Sequence, residues 1–202
     1  TGNLDKRGDG DVITQTVDEY KNGSRLDQFR YRWYRNPWFL FLVSAPVHFV
    51  LLQRVPLGDQ WYTKDGWISV MGTNIGICLY YGSLIAFFGL EAFLLVYIPV
   101  IMLSSLGAVW LFYVQHQFDD AYWERNDTWT YHDATLQGSS FYNLPGWLHW
   151  ASGNIGYHHI HHLNPRVPNY SLPECYANSP VLQQARNLSI KESLSTAWLA
   201  LW

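Results

Sequence analysis

The sequence predicts an all-α, multi-pass membrane protein that carries a helical, histidine-rich cap on the cytoplasmic side. Three observations point there: two long runs without a charged residue, a basic segment ahead of them and a dense histidine cluster behind them. The 202 residues are 49 % apolar and only 14 % charged, where a soluble domain carries about 25 % charged residues. Aromatic residues make up 17 %, so the composition also excludes intrinsic disorder, which needs high charge and few aromatics. The mean hydropathy of −0.11 is that of a soluble chain, but an average over the whole length conceals local runs. A net charge of −3 leaves no electrostatic footprint for nucleic acid. Cys78 and Cys175 do not make a disulfide framework.

Residues 1–36 read as a cytoplasmic segment. Lys21, Arg25, Arg30, Arg32 and Arg35 crowd its end, and eight of the 13 Lys and Arg residues precede position 61; basic flanks stay on the cytoplasmic side of a membrane. Residues 37–55 follow as an interfacial or re-entrant helix, because PWFLFLVSAPVHFVLL is short for a span and carries Pro46 and His48 in its middle. Residues 67–90 and 92–115 are each 24 residues long without a charge. At about 1.5 Å per residue each run reaches about 36 Å as a helix, against a hydrocarbon core of about 30 Å. They are expected to form a transmembrane hairpin turning at Gly89–Glu91. Trp67, Trp110 and Tyr113 near its ends suit the interfacial aromatic belts, and Pro99 is tolerated because neighbouring helices re-satisfy freed backbone groups. Two crossings return the chain to the cytoplasm, so residues 116–202 form a cytoplasmic histidine-box region; three crossings would place them outside. Near the end, Ile190, Leu194, Ala197, Trp198 and Leu201 fall on one helical face.

The chemistry lies after residue 115, with seven of the eight histidines. In GNIGYHHIHHLNPRVPNY, positions 158, 161 and 162 share one face of a helix, while His159 points elsewhere. Three imidazoles on one face predict a metal site, since neutral imidazole suits Fe, Zn, Cu and Ni; no cysteine accompanies them. One helical turn leaves a metal unsaturated. His116, in YVQHQFDDAYWER at the end of the second apolar run, is the best further ligand, as an ionisable residue at such a place is functional by default. Asp119, Asp120 and Glu124 either accept hydrogen bonds from the ligand histidines and orient them, or form a solvated acidic stretch. His132 and His149 read as hydrogen-bonded interfacial residues, and His48 has no evident partner.

With these residues in view, GNIGYHHIHHLNPRVPNY resembles the third histidine box of the membrane fatty acid desaturases, its HxxHH spacing met by His158, His161 and His162. VQHQFDDAYWE resembles the segment that supplies an additional histidine in that family, here His116. TGNLDKRGDGDVITQTVDEY resembles the stretch after the family's second box. The likeness covers essentially the whole chain and is closest to the bacterial acyl-lipid desaturases. It implies a partial fatty acid desaturase fold and a C-terminal fragment, because the family also uses an HxxxH-type first box and an HxxHH-type second box. It further implies two iron ions held by His116, His158, His161 and His162 with ligands from an N-terminal part. O2 would be a co-substrate, a membrane lipid or fatty acyl chain the substrate, and ferredoxin or another small redox protein the electron donor. The location implied is a bacterial cytoplasmic membrane. No GxGxxG fingerprint for a bound nicotinamide or flavin is present. The isolated fragment is expected to be inactive. A related di-iron hydroxylase, a metal transporter and a non-catalytic metal-binding membrane fragment are the alternatives; the transporter would put ionisable residues inside the spans, and the two runs have none. The basic stretch Lys21–Arg35 reads first as a topology signal, and then as a docking surface for an acidic donor or for lipid headgroups.

Overall fold

The computed structural model describes residues 2–7 and 12–201. Residues 1, 8–11 and 202, which belong to the N-terminal stretch and the C-terminal apolar pattern read above, lie outside the described residues. The chain divides into two compact units: Thr1–Arg35 with Trp110–Trp202, and Asn36–Val109.

The first unit opens with two short helices. α1 (Val17–Asn22) starts at a capping box: the Thr16 hydroxyl accepts from the Glu19 amide, and the Glu19 carboxylate accepts from the Thr16 amide. This satisfies amides that a helix start leaves bare. Arg7 adds a bidentate pair to Glu19 at 2.6 and 2.9 Å. α2 (Arg25–Tyr34) is capped by Ser24 and buries Tyr31.

In the second unit, Asn36 caps α3 (Pro37–Phe39) through the amides of Trp38 and Phe39. A wide π-helical turn, Leu40–Ser44, leads into α4 (Ala45–Val50). Pro46 accounts for it: its ring would press on the carbonyl four residues back in a regular helix, and a wider turn relieves the contact. After 3-10 turns at Leu52–Arg54 and Gly58–Tyr62 come α5 (Lys64–Phe88) and α6 (Leu90–His116). Gly89 alone joins them, at φ +82°, a backbone region that favours glycine. Three helical stretches, Pro37–Tyr62, Lys64–Phe88 and Leu90–His116, are long and apolar enough to cross a membrane. Tyr81, Phe93 and Tyr97 pack ring to ring at 5.1–5.3 Å between α5 and α6. His48, within α4, lies 3.4 Å from the Gln53 amide nitrogen.

The last seven residues of α6 belong to the first unit. Around them fold α7 (Tyr131–Leu136), β1 (Phe141–Asn143), α8 (Gly146–Ala151), α9 (His158–Leu163), α10 (Leu172–Asn178), β2 (Asn187–Ser189) and α11 (Ile190–Thr196). The all-α expectation therefore meets one small exception. β1 and β2 pair in parallel, with Phe141 opposite Asn187 and Asn143 opposite Ser189. Ile160, Leu172 and Leu182 form a core under α9, joined by Leu136, Tyr157 and Val167.

The C-terminal helical face is corrected. α11 ends at Thr196, a turn at Ala197 and Trp198 follows, and the carbonyls beyond it are taken by side chains. The Leu199 carbonyl accepts from Arg35 (2.6 Å) and Tyr113 (2.8 Å), and the Ala200 carbonyl accepts from Tyr31. Buried Arg35 reaches Gln117 Oε1 and Tyr113 Oη, each at 2.9 Å, from the same Nη2.

Candidate metal centre

α9 is only six residues long, so its rotation about its own axis is set by packing. Ile160 and His159 enter the core. Tyr131 holds the end of α9 by donating its hydroxyl to the carbonyls of His162 (2.5 Å) and Leu163 (3.0 Å). With that face fixed, His158 and His162 meet His116 at the end of α6. His116 Nε2 lies 3.2 Å from His158 Nε2 and 3.2 Å from His162 Nε2, and the three ligand nitrogens all fall within 4.8 Å of one another.

His161 stands apart from this trio. It is exposed, and its ring lies nearly parallel to that of His158, with centroids 5.6 Å apart. His159 is fully buried between Phe141 and Tyr176, whose ring centroids lie 6.3 and 5.8 Å away with both contacts edge-on. Burial lowers its pKa to about 4, so it is neutral at pH 7. His149 packs at a tilt against Tyr157, centroids 4.9 Å apart, and burial lowers its pKa as well. Gly156 makes room for it: a Cβ there would come within 2.5 Å of His149 Cε1 and 2.3 Å of the Tyr142 carbonyl. His132 is exposed beside Tyr131.

Asp119 and Asp120 line a pocket beside His116. Both are exposed, and Glu124 accepts the Thr128 hydroxyl at 2.7 Å. The orienting acceptor for His116 is instead a backbone group: Nδ1 lies 3.2 Å from the Gly138 carbonyl, with Ser139 Oγ at 3.5 Å. A peptide carbonyl carries no side-chain signature, so pattern reading had nothing to find. The pocket beside His116 has a volume of about 130 Å³ and is also lined by Thr14, Gln117, Phe118 and Leu199.

The donor set fits a metal ion. With Nδ1–H given to the Gly138 carbonyl, His116 presents a single lone pair at Nε2. Two other imidazole nitrogens approach that same atom, and one lone pair cannot satisfy both. A shared cation can. At a metal–nitrogen distance of about 2.1 Å, neighbouring ligands at right or tetrahedral angles lie about 3.0 to 3.4 Å apart, which brackets the observed spacing. Burial, and then the neighbouring imidazoles His116, His162, His161 and His159, lower the pKa of His158 to about 2, so it stays neutral as a ligand must. Its Nδ1 is buried without a hydrogen-bond partner. An all-imidazole set suits Fe, Zn, Cu or Ni alike.

The family model described as "Fatty acid desaturase" matches residues 4–191. A protein named "Fatty acid desaturase" from Bacillus subtilis (strain 168) is 40 % identical over 202 residues, which is all of this chain and 57 % of that relative. No solved structure matches the chain.

Proposed function

The chain belongs to the fatty acid desaturase family, and from that membership we propose that it serves the oxygen-dependent desaturation of fatty acyl chains at a histidine-held di-iron centre. The observation that carries this reading is the convergence of His116, His158 and His162 on one point. Removing hydrogen from an unactivated acyl chain is beyond any acid or base among the side chains; the metal supplies the one-electron and O2 chemistry when bound. Every other task falls to the protein. His116, His158 and His162 hold one ion. The Gly138 carbonyl holds the His116 proton on Nδ1 and so turns the Nε2 lone pair toward the metal. His161, exposed next to His158, is assigned to the second ion. The chain spans 57 % of the length of its relative, and two ions need more ligands than these four imidazoles. The electron donor is a ferredoxin-like or other small redox protein.

The reading includes a topology. Asp5 pairs with Arg125 at 2.8 Å, and Arg35 bonds to Tyr113, Gln117 and Leu199. Residues before and after the apolar stretches thus share one compact unit. That supports an even number of crossings between them: α5 and α6 cross, and Pro37–Tyr62, although long enough, lies in the interface or re-enters. The excess of Lys and Arg before position 61 supports a cytoplasmic bacterial location for the histidine region.

Lipid analysis of a host expressing the full gene tests the function. A new acyl double bond is expected, and His116→Ala, His158→Ala or His162→Ala should each reduce it to background while folded protein persists in the membrane. Wild-type turnover in any of the three would refute its assignment as a ligand, and a hydroxylated acyl product would replace desaturation by hydroxylation.

A further inference from the structure

α2 is built the wrong way round for a helix on the outside of a soluble domain. Its inward side carries Tyr31, whose ring is buried and whose hydroxyl accepts from the Gln15 amide and donates to the Ala200 carbonyl. Its outward side carries Leu26, Phe29 and Trp33, which are 54, 53 and 56 % exposed. Those three positions are spaced by three and four residues, so at about 100° per residue they form one narrow apolar stripe. Phe29 and Trp33 touch edge to face along it, with centroids 6.2 Å apart. Arg25 and Arg32 border the stripe on one side and Arg30 on the other, all exposed. Asp27 is the one acid of the helix; it caps the first turn with Ser24 and lies 4.0 Å from Arg30 in a loose, exposed pair.

A stripe of large apolar side chains fringed by guanidinium groups on both edges matches the boundary of an anionic bilayer. The apolar rings enter the acyl–headgroup zone, and the long arginine stems let their charges reach back to phosphate. Position along the chain agrees. Only Arg35 and Asn36 separate the helix from the apolar stretch that begins at Pro37, so α2 is tethered within about 10 Å of it. An acidic soluble partner would match the arginines but leave the apolar stripe unaccounted for.

We propose that α2 lies flat on the membrane surface, with Leu26, Phe29 and Trp33 in the lipid boundary and Arg25, Arg30 and Arg32 on the phosphates of anionic lipids. This rests on the membrane reading above, and the test separates the two. A nitroxide is placed at Phe29→Cys or at Leu103→Cys in the full chain with Cys78→Ser and Cys175→Ser, reconstituted in phosphatidylcholine vesicles with or without one third phosphatidylglycerol. Collision with oxygen and with a water-soluble nickel chelate is then compared. At position 29 oxygen collisions should exceed nickel collisions several-fold, with a further gain when phosphatidylglycerol is present. Replacing Arg25, Arg30 and Arg32 by Gln should abolish that further gain. A label at 29 open to nickel, or shielded from both reagents as under a protein partner or a second copy, overturns the proposal, as does a phosphatidylglycerol effect that survives loss of the three arginines. The label at 103 reports the hairpin: if it alone sits in hydrocarbon, only the α2 proposal fails, and if it too is open to nickel, the membrane reading fails.

Discussion

His159 lies within one turn of three other histidines and does a different job from any of them. Its ring fills the space between Phe141 and Tyr176, and its polar neighbour is the Leu182 backbone. Its contribution is that of a flat, neutral, space-filling group. His159→Ala should therefore destabilise the protein by about 3 kcal/mol, as truncation of a buried ring does. His159→Phe keeps a flat aromatic ring but is larger than imidazole, so overpacking should cost about 1–2 kcal/mol, less than the Ala truncation, with full activity retained. Thermal unfolding in detergent and lipid analysis check both variants. A Phe variant that folds normally but loses activity would make His159 a ligand or a proton carrier instead. HxxHH spacing leaves His159 out of the box, and the surrounding aromatics, brought in from β1 and α10, show its place in the packing.

At the scale of elements, the helix starts are legible because capping is local. Thr16–Glu19 and Ser189–Glu192 are both capping boxes three residues apart, and a side chain that bonds an amide three positions on needs no distant partner. Glu19 carries the larger load, since Arg7 also binds it. The hydrogen bond from Arg7, then that from the Thr16 amide, lowers its pKa to about 2 against the opposing effect of burial. A carboxylate lowered on folding stabilises the folded state at pH values above its ordinary 4.5, and that stability fades as pH falls from there toward 2. Glu19→Gln should cost about 1 kcal/mol at pH 7, a value kept small because the carboxylate is partly open to solvent. The gap in melting temperature between parent and variant should narrow as pH falls below about 4.5, and a gap independent of pH would exclude the Arg7–Glu19 pair as its source. The π-helical turn at Leu40–Ser44 and the end of α11 at Thr196 were less legible. The first depends on where the strain at Pro46 is released. The second depends on Arg35, Tyr31 and Tyr113 capturing carbonyls more than 80 residues away in sequence.

For the whole molecule, the decisive feature is that the two ends of the chain meet. Arg35 ties α2, α6 and the C-terminal segment together through a single nitrogen, and Asn3 and Leu4 run beside Glu124. A membrane-impermeant maleimide should thus label Lys6→Cys and Lys191→Cys from the same side of sealed vesicles when Cys78 and Cys175 are replaced by Ser. Labelling from opposite sides would require an odd number of crossings and would sink the topology proposed above.

The sequence by itself determined the two apolar runs and the cluster of imidazoles, because charge, hydrophobicity and residue chemistry belong to residues wherever they stand. It also marked His116 as the histidine most worth adding to the box. Tertiary structure decided which imidazoles face one another. Helical spacing allows His158, His161 and His162 one face, but a six-residue helix takes its rotation from what it buries. With Ile160 and His159 in the core, His158 and His162 turn toward His116, and His161 is left at the surface. The acceptor that orients His116 was likewise settled by the fold, since the Gly138 carbonyl is a group every residue has and only packing brings into place.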